Sequence, residues 1–139
     1  MGVTIESKNH SIDLGYGGFN NIRTKVAELS DAELGLHYKN LKNAPIFGDR
    51  DEFFKKYNKK INEIVSNNNA LYPIADFIYQ SDCGGEVSTE HCKQIYEVIK
   101  DYDDNVLYGY CGRKDCAMFK DFKEIIKDCI DNDCSMTWF

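Results

Sequence analysis

No apolar run in this chain approaches the roughly 20 residues needed to cross a bilayer as a helix. There is also no HExxH zinc motif, no Walker-type phosphate loop and no GxSxG nucleophile elbow. Histidine is scarce: His10, His37 and His91 are the only three, and none has metal-ligand spacing with another. Met1–Glu6 lacks the charged-then-apolar order of a secretion signal. Glu6 stands where a myristoylation signal needs Ser or Thr. These absences lead us to expect a cytoplasmic protein without a membrane anchor or a resident cofactor. There is no repeat, linker or low-complexity segment, so residues 1–139 are expected to form one domain.

What is present is globular. Apolar residues make up 42% of the 139 and aromatics 13%, enough for a core without disulfides or metal. The net charge of −6 is unevenly spread. Residues 1–69 hold ten Lys/Arg against nine Asp/Glu, whereas residues 70–139 hold seven against fourteen. The acidic second half argues against nucleic-acid binding, which depends on neutralising phosphates. It suits a basic protein surface or simple solvation.

Periodicity predicts a mostly helical α+β fold. Gly2–Ser7 alternates like a strand, followed by the glycine-dense turn Ser11–Gly18. Phe19, Ile22, Val26 and Leu29 mark a first helix, and a capping box at Ser30–Glu33 starts a second. A third opens at Asp49. It places Phe53, Phe54, Tyr57, Ile61, Ile64 and Val65 on a face expected to be buried. Lys55, Lys56, Lys59 and Lys60 form a ridge on the other side, more in keeping with a solvated face than an anion site. Pro73 suits the first turn of a fourth helix. A fifth runs from about Thr89 to Asp101, and a sixth carries Met118 to Ile130. Val106–Tyr110 reads equally as strand or loop. Ser135–Phe139 is β-prone, so the two terminal strands are expected to pair. The reading is thus five or six helices with a small sheet from the termini.

The sharpest break is Ser81–Cys92, which reads as a polar turn between helices. Gly84-Gly85 there can take positive φ, and Ser88 caps the next helix. As a calcium loop it fails, with Gln80, Gly84 and His91 where ligands are required. Exposed carboxylates Asp82, Glu86 and Glu90 would instead offer a partner surface. Cys83, His91 and Cys92 raise the idea of an activated thiol, but no oxyanion stabiliser accompanies them. Cys111, Cys116, Cys129 and Cys134 have zinc-like spacing. The predicted sixth helix, however, would hold Cys116 and Cys129 about 20 Å apart, so no metal site is assigned. Gly15, Tyr16, Gly17 and Gly18, with Arg23 two turns on, form a candidate site for a small anion at a helix N-terminus.

Ser11–Tyr16 with Phe19 and Arg23, together with Ser81–Ser88 and the helices that follow, resembles small uncharacterised proteins of bacterial and phage genomes. The resemblance implies an accessory, phage-type protein and supplies no activity. With no catalytic set on view, a non-enzymatic binding protein is expected, acting as a stoichiometric anti-defence inhibitor of a host protein with a basic surface. The alternative is a small-ligand binder that sequesters a phosphorylated or nucleotide signal.

Overall fold

The computed structural model describes residues 2–108 and 117–139. Among these, six α-helices pack against one four-stranded antiparallel sheet. The strands are β1 (Val3–Glu6), β2 (Ser11–Leu14), β3 (Gly85–Val87) and β4 (Met136–Trp138), in the order β2-β1-β4-β3. The helices are α1 (Tyr16–Ser30), α2 (Ala32–Lys39), α3 (Arg50–Asn67), α4 (Tyr72–Tyr79), α5 (Thr89–Ile99) and α6 (Phe119–Asp131). No helix among the described residues is long and apolar enough to cross a membrane.

The terminal strands pair as expected, Ile5 opposite Trp138 and Glu6 opposite Thr137. Two further strands flank them. β2 folds back on β1 as a hairpin, and β3 joins β4 from the middle of the chain. Alternation sends Val3, Ile5, Leu14, Val87, Met136 and Trp138 into the core. Thr4 and Asp13 face each other on the partly exposed side, their side chains hydrogen-bonded at 2.8 Å.

The helices cover the inner face through apolar stripes at helical spacing. α6 contributes Phe119, Phe122, Ile125, Ile126 and Cys129, and α5 contributes Cys92, Ile95 and Ile99. Asp31, not Ser30, caps α2, accepting a hydrogen bond from the Leu34 amide at 3.0 Å; the Ser30 hydroxyl turns back onto the Ala27 carbonyl. Ser88 caps α5 as expected. Leu107 forms a single bridge to Met118, so residues 106–108 run as extended backbone beside the start of α6. Cys111 and Cys116, half of the zinc-like pattern, lie outside the described residues.

The reading of Ser81–Cys92 as a plain turn needs correction. Its glycines do not use positive φ; among described residues that conformation belongs to Gly48 (φ 77°) and Asp133 (φ 49°). Gly85 is instead the first residue of β3. A Cβ there would sit 2.2 Å from Cζ2 of Trp138, so glycine is needed for the close approach of the indole. Gly84→Ala meets nothing nearer than the Trp138 carbonyl oxygen at 3.8 Å. Gly85→Ala is expected to destabilise the protein by about 1–3 kcal/mol, as overpacked cores do, and Gly84→Ala by well under 1. Urea denaturation midpoints separate the two; equal effects would mean that the indole does not require Gly85.

The β1–β2 turn is tied to α6 by Asp128. Its carboxylate accepts from Ser7 Oγ (2.6 Å), the Asn9 amide (2.7 Å) and Asn9 Nδ2 (2.9 Å). These bonds, led by that of Ser7, favour the ionised form and lower its pKa from 3.8 to about 2. A depressed carboxylate contributes stability that is complete above its unfolded pKa and is lost as pH falls through the folded value. The stability gap between the wild type and Asp128→Asn should therefore be constant near neutrality and shrink between about pH 4 and pH 2. A gap unchanged across that window, measured by urea titration, would contradict this linkage.

Candidate ligand-binding cleft

α3 is amphipathic, but its apolar stripe is only partly covered. Tyr57 and Ile64 are buried, whereas Phe53, Phe54, Ile61 and Val65 stay half-exposed. The expected buried face is thus corrected: α3 packs mainly on α2 and on the 3-10 turn Asn69–Leu71. Between α3 and the helices α1 and α4 lies a cleft of about 690 Å³, within the size range of small-molecule sites.

The contact with α2 is built around His37. Its ring stacks on Tyr57 with centroids 3.8 Å apart. Nε2 lies 2.9 Å from the Tyr57 carbonyl oxygen and Nδ1 2.6 Å from the Tyr79 hydroxyl. A carbonyl can only accept, so Nε2 carries the proton and Nδ1 accepts from Tyr79. Burial lowers the His37 pKa and favours this neutral form. His37 therefore joins α2, α3 and α4 in one polar contact. Tyr57 Oη, although buried, has no hydrogen-bond partner among the described residues, and burial raises its pKa to about 12.

The cleft walls are aromatic and amide-rich. α1 supplies Tyr16, Asn20 and Arg23; α3 supplies Phe54, Tyr57, Asn58, Ile61 and Asn62; α4 supplies Tyr72, Asp76 and Tyr79. Asn20 is occupied by the Tyr38 hydroxyl at 2.8 Å. The side chains of Asn58 and Asn62 are exposed and make no hydrogen bond to the described residues.

Arg23 is the unusual member, at 4% exposure. Its guanidinium carbon lies 4.3 Å from the Phe19 ring centroid and 5.2 Å from that of Trp138. Nη2 donates to the Ser81 carbonyl at 3.4 Å, and Nε has no hydrogen-bond partner among the described residues. Among the described residues no carboxylate lies within ion-pair distance of it. Burial lowers its pKa, opposed by Tyr38 and, more weakly, by Asp82. Arginine stays protonated even so. The cleft is therefore bordered by a buried cation stabilised by aromatic faces instead of by an anion.

Of the residues singled out from the sequence, the structure brings Tyr16, Arg23 and Asp82 to this cleft. Gly15, Gly17 and Gly18 do not line it. Arg23 sits about 10 Å along α1 from Tyr16, too far for the glycine turn and Arg23 to hold one small anion. Gly18 has a packing role: a Cβ there would meet the Tyr108 carbonyl oxygen at 2.1 Å. Glu86 and Glu90 are exposed, and Glu90 pairs with Lys93 at 3.1 Å. Gln80 closes the outer side of β3, donating to the Glu86 carbonyl (2.7 Å) and accepting from its amide (3.0 Å). That covers a sheet edge otherwise open to strand addition.

The thiol arrangement suggested by Cys83, His91 and Cys92 does not assemble. His91 Nδ1 is bound to Asp76 at 2.7 Å, and Cys83 is exposed, its thiol directed at Asp82. Cys92 is buried, with its thiol toward the Val87 carbonyl. Comparison with protein-family models, curated proteins and solved structures finds no match.

Proposed function

We propose that this protein is a non-catalytic binder of small, ring-bearing anions, with nucleotides as the leading class, and that it acts by sequestering a phosphorylated signal. The observation that carries this reading is Arg23, a buried guanidinium at the wall of an aromatic cleft with no carboxylate within ion-pair distance among the described residues. Removing a cation from water costs on the order of several kcal/mol unless an anion or its equivalent compensates. A phosphate would do so through charge-assisted hydrogen bonds. The Tyr and Phe rings offer stacking surfaces for a base, worth about 1–3 kcal/mol per base in other proteins. The uncommitted amides of Asn58 and Asn62 both donate and accept, as recognition of a base edge requires. Sequestration needs only this binding.

Thermal-shift and calorimetric titration with the four nucleosides, their mono-, di- and triphosphates, and cyclic mono- and dinucleotides tests the reading. A ligand at 100 times its Kd adds about 2.7 kcal/mol of stability, a shift of several degrees. Arg23→Met should keep the fold and the affinity for the uncharged nucleoside while weakening the phosphorylated ligand by about 100-fold, the order of a lost charged hydrogen bond. Asn58→Leu and Tyr72→Ala, both at exposed positions, should weaken both ligands without changing the apo melting temperature appreciably. No shift anywhere in the panel, or undiminished binding in these variants, would remove the proposal.

The second reading is a stoichiometric inhibitor that meets a basic host protein through Asp82, Glu86 and Glu90. Its support is that Asp82 and Glu86 are exposed and have no Lys or Arg within ion-pair distance among the described residues. If it holds, wild-type protein captures a specific basic partner, and Asp82→Lys and Glu86→Lys slow that association and weaken its salt dependence. Capture unaffected by both reversals assigns the interface elsewhere.

A further inference from the structure

α3 carries a second recess on its outer side, lined by Lys55, Asn58, Lys59, Asn62 and Ser66 among others. Asn58 and Asn62 also line the aromatic cleft. At 100° per residue, Phe54, Ile61 and Val65 point to the cleft side of these two asparagines, and Lys55, Lys59 and Ser66 to the other. The asparagines are thus the shared rim of two adjoining depressions. The lysines on this helix are not equivalent. Lys56 is paired with Glu52 at 3.5 Å and Lys60 with Glu33 at 2.9 Å. Lys55 and Lys59 have no carboxylate partner among the described residues, although Glu63 lines the same recess. The two unpaired lysines are therefore the ones that adjoin the cleft rim.

We infer that the ligand carries anionic groups at two separate places with its ring system between them, one group meeting Arg23 within the cleft and the other crossing Asn58 and Asn62 onto Lys55 and Lys59. This rests on the cleft reading above and narrows it to nucleosides phosphorylated at two positions. A single phosphate would leave either the buried guanidinium or the lysine pair without an anion. The neighbouring Lys56 and Lys60, already neutralised in ion pairs, contribute little to recognition.

The test compares adenosine and guanosine 5′-monophosphates with the corresponding 3′,5′-bisphosphates by calorimetry on the full chain. The bisphosphate of the preferred base should bind about tenfold tighter, the order expected of two exposed lysine–phosphate contacts in water. That advantage should disappear in Lys55→Ala/Lys59→Ala and persist in Lys56→Ala/Lys60→Ala. Because all four positions are exposed, the variants should fold normally, which circular dichroism checks. If monophosphates bind and the second phosphate adds nothing, or its advantage survives loss of Lys55 and Lys59, the extended site is wrong while the cleft reading stands. If neither phosphate series binds, both fail.

Discussion

The indole of Trp138 is the contact on which the other parts of this fold depend. It enters from the last strand, lies against Gly85 of β3, and packs on Phe19 of α1 and Phe77 of α4 at 5.6 and 5.7 Å between centroids. Its Nε1 donates to the Ser81 carbonyl at 2.8 Å. One side chain thus joins the sheet, two helices and the loop before β3. It also explains the place of β3, a three-residue strand with too little hydrogen bonding of its own to persist. Without a glycine at position 85 the indole could not approach, and without the indole little would hold that segment against β4.

The same constellation sets the position of Arg23. Its guanidinium lies over the Phe19 and Trp138 rings and shares the Ser81 carbonyl with the indole N–H. Aromatic faces stabilise a desolvated cation by about 2 kcal/mol or more in favourable cases, which is less than the full cost of removing it from water. Replacing such a buried charge with an apolar side chain often stabilises a protein. Retaining it is costly to the free protein, and under the proposed function an anion in the cleft would offset that cost. Core packing and the proposed ligand chemistry therefore meet in one residue.

Much of the fold was legible in the chain because it is written in local patterns. Apolar spacing located all six helices, Ser88 and Pro73 marked helix starts, and the β-prone ends predicted the pairing of β1 with β4. The elements that escaped are those fixed by distant partners. Ser11–Leu14 sits next to a glycine-rich stretch and reads as part of the turn, and Gly85–Val87 owes its pairing to β4, some fifty residues later. The cleft escaped for a related reason. Periodicity identifies Phe54, Tyr57, Ile61 and Val65 as one face of α3, but it does not say what lies opposite. The available clue was compositional: Asn58 and Asn62 flank the stripe, and Tyr72 and Tyr79 mark a tyrosine-rich facing helix. Arg23 was picked out for its nearness to a glycine turn and belongs instead to the cleft.

How α3 is held bears on whether the cleft can serve a ligand. The helix is fastened near one region by His37, which joins the Tyr57 carbonyl to the Tyr79 hydroxyl, and by Lys60–Glu33. At its C-terminal end it passes through Asn68 into the turn Asn69–Leu71, where Leu71 enters the core. Between these attachments Ile61 and Val65, and one turn before them Phe54, meet the cleft without being fully covered. A helix tied at its middle and at its C-terminal end can keep such a surface from collapsing onto α1 and α4, so that under the proposed function a ligand would meet a cleft already formed. Preorganisation of this kind lowers the entropic cost of binding. It has a counterpart in the free protein, where the Tyr57 hydroxyl and Arg23 Nε are buried and find no hydrogen-bond partner among the described residues. Each unmet polar group costs about 1–3 kcal/mol. Under the proposed function, unmet donors beside stacking surfaces would favour ligands rich in acceptor oxygens over apolar ones of similar shape, because an apolar occupant would deepen the desolvation without meeting it.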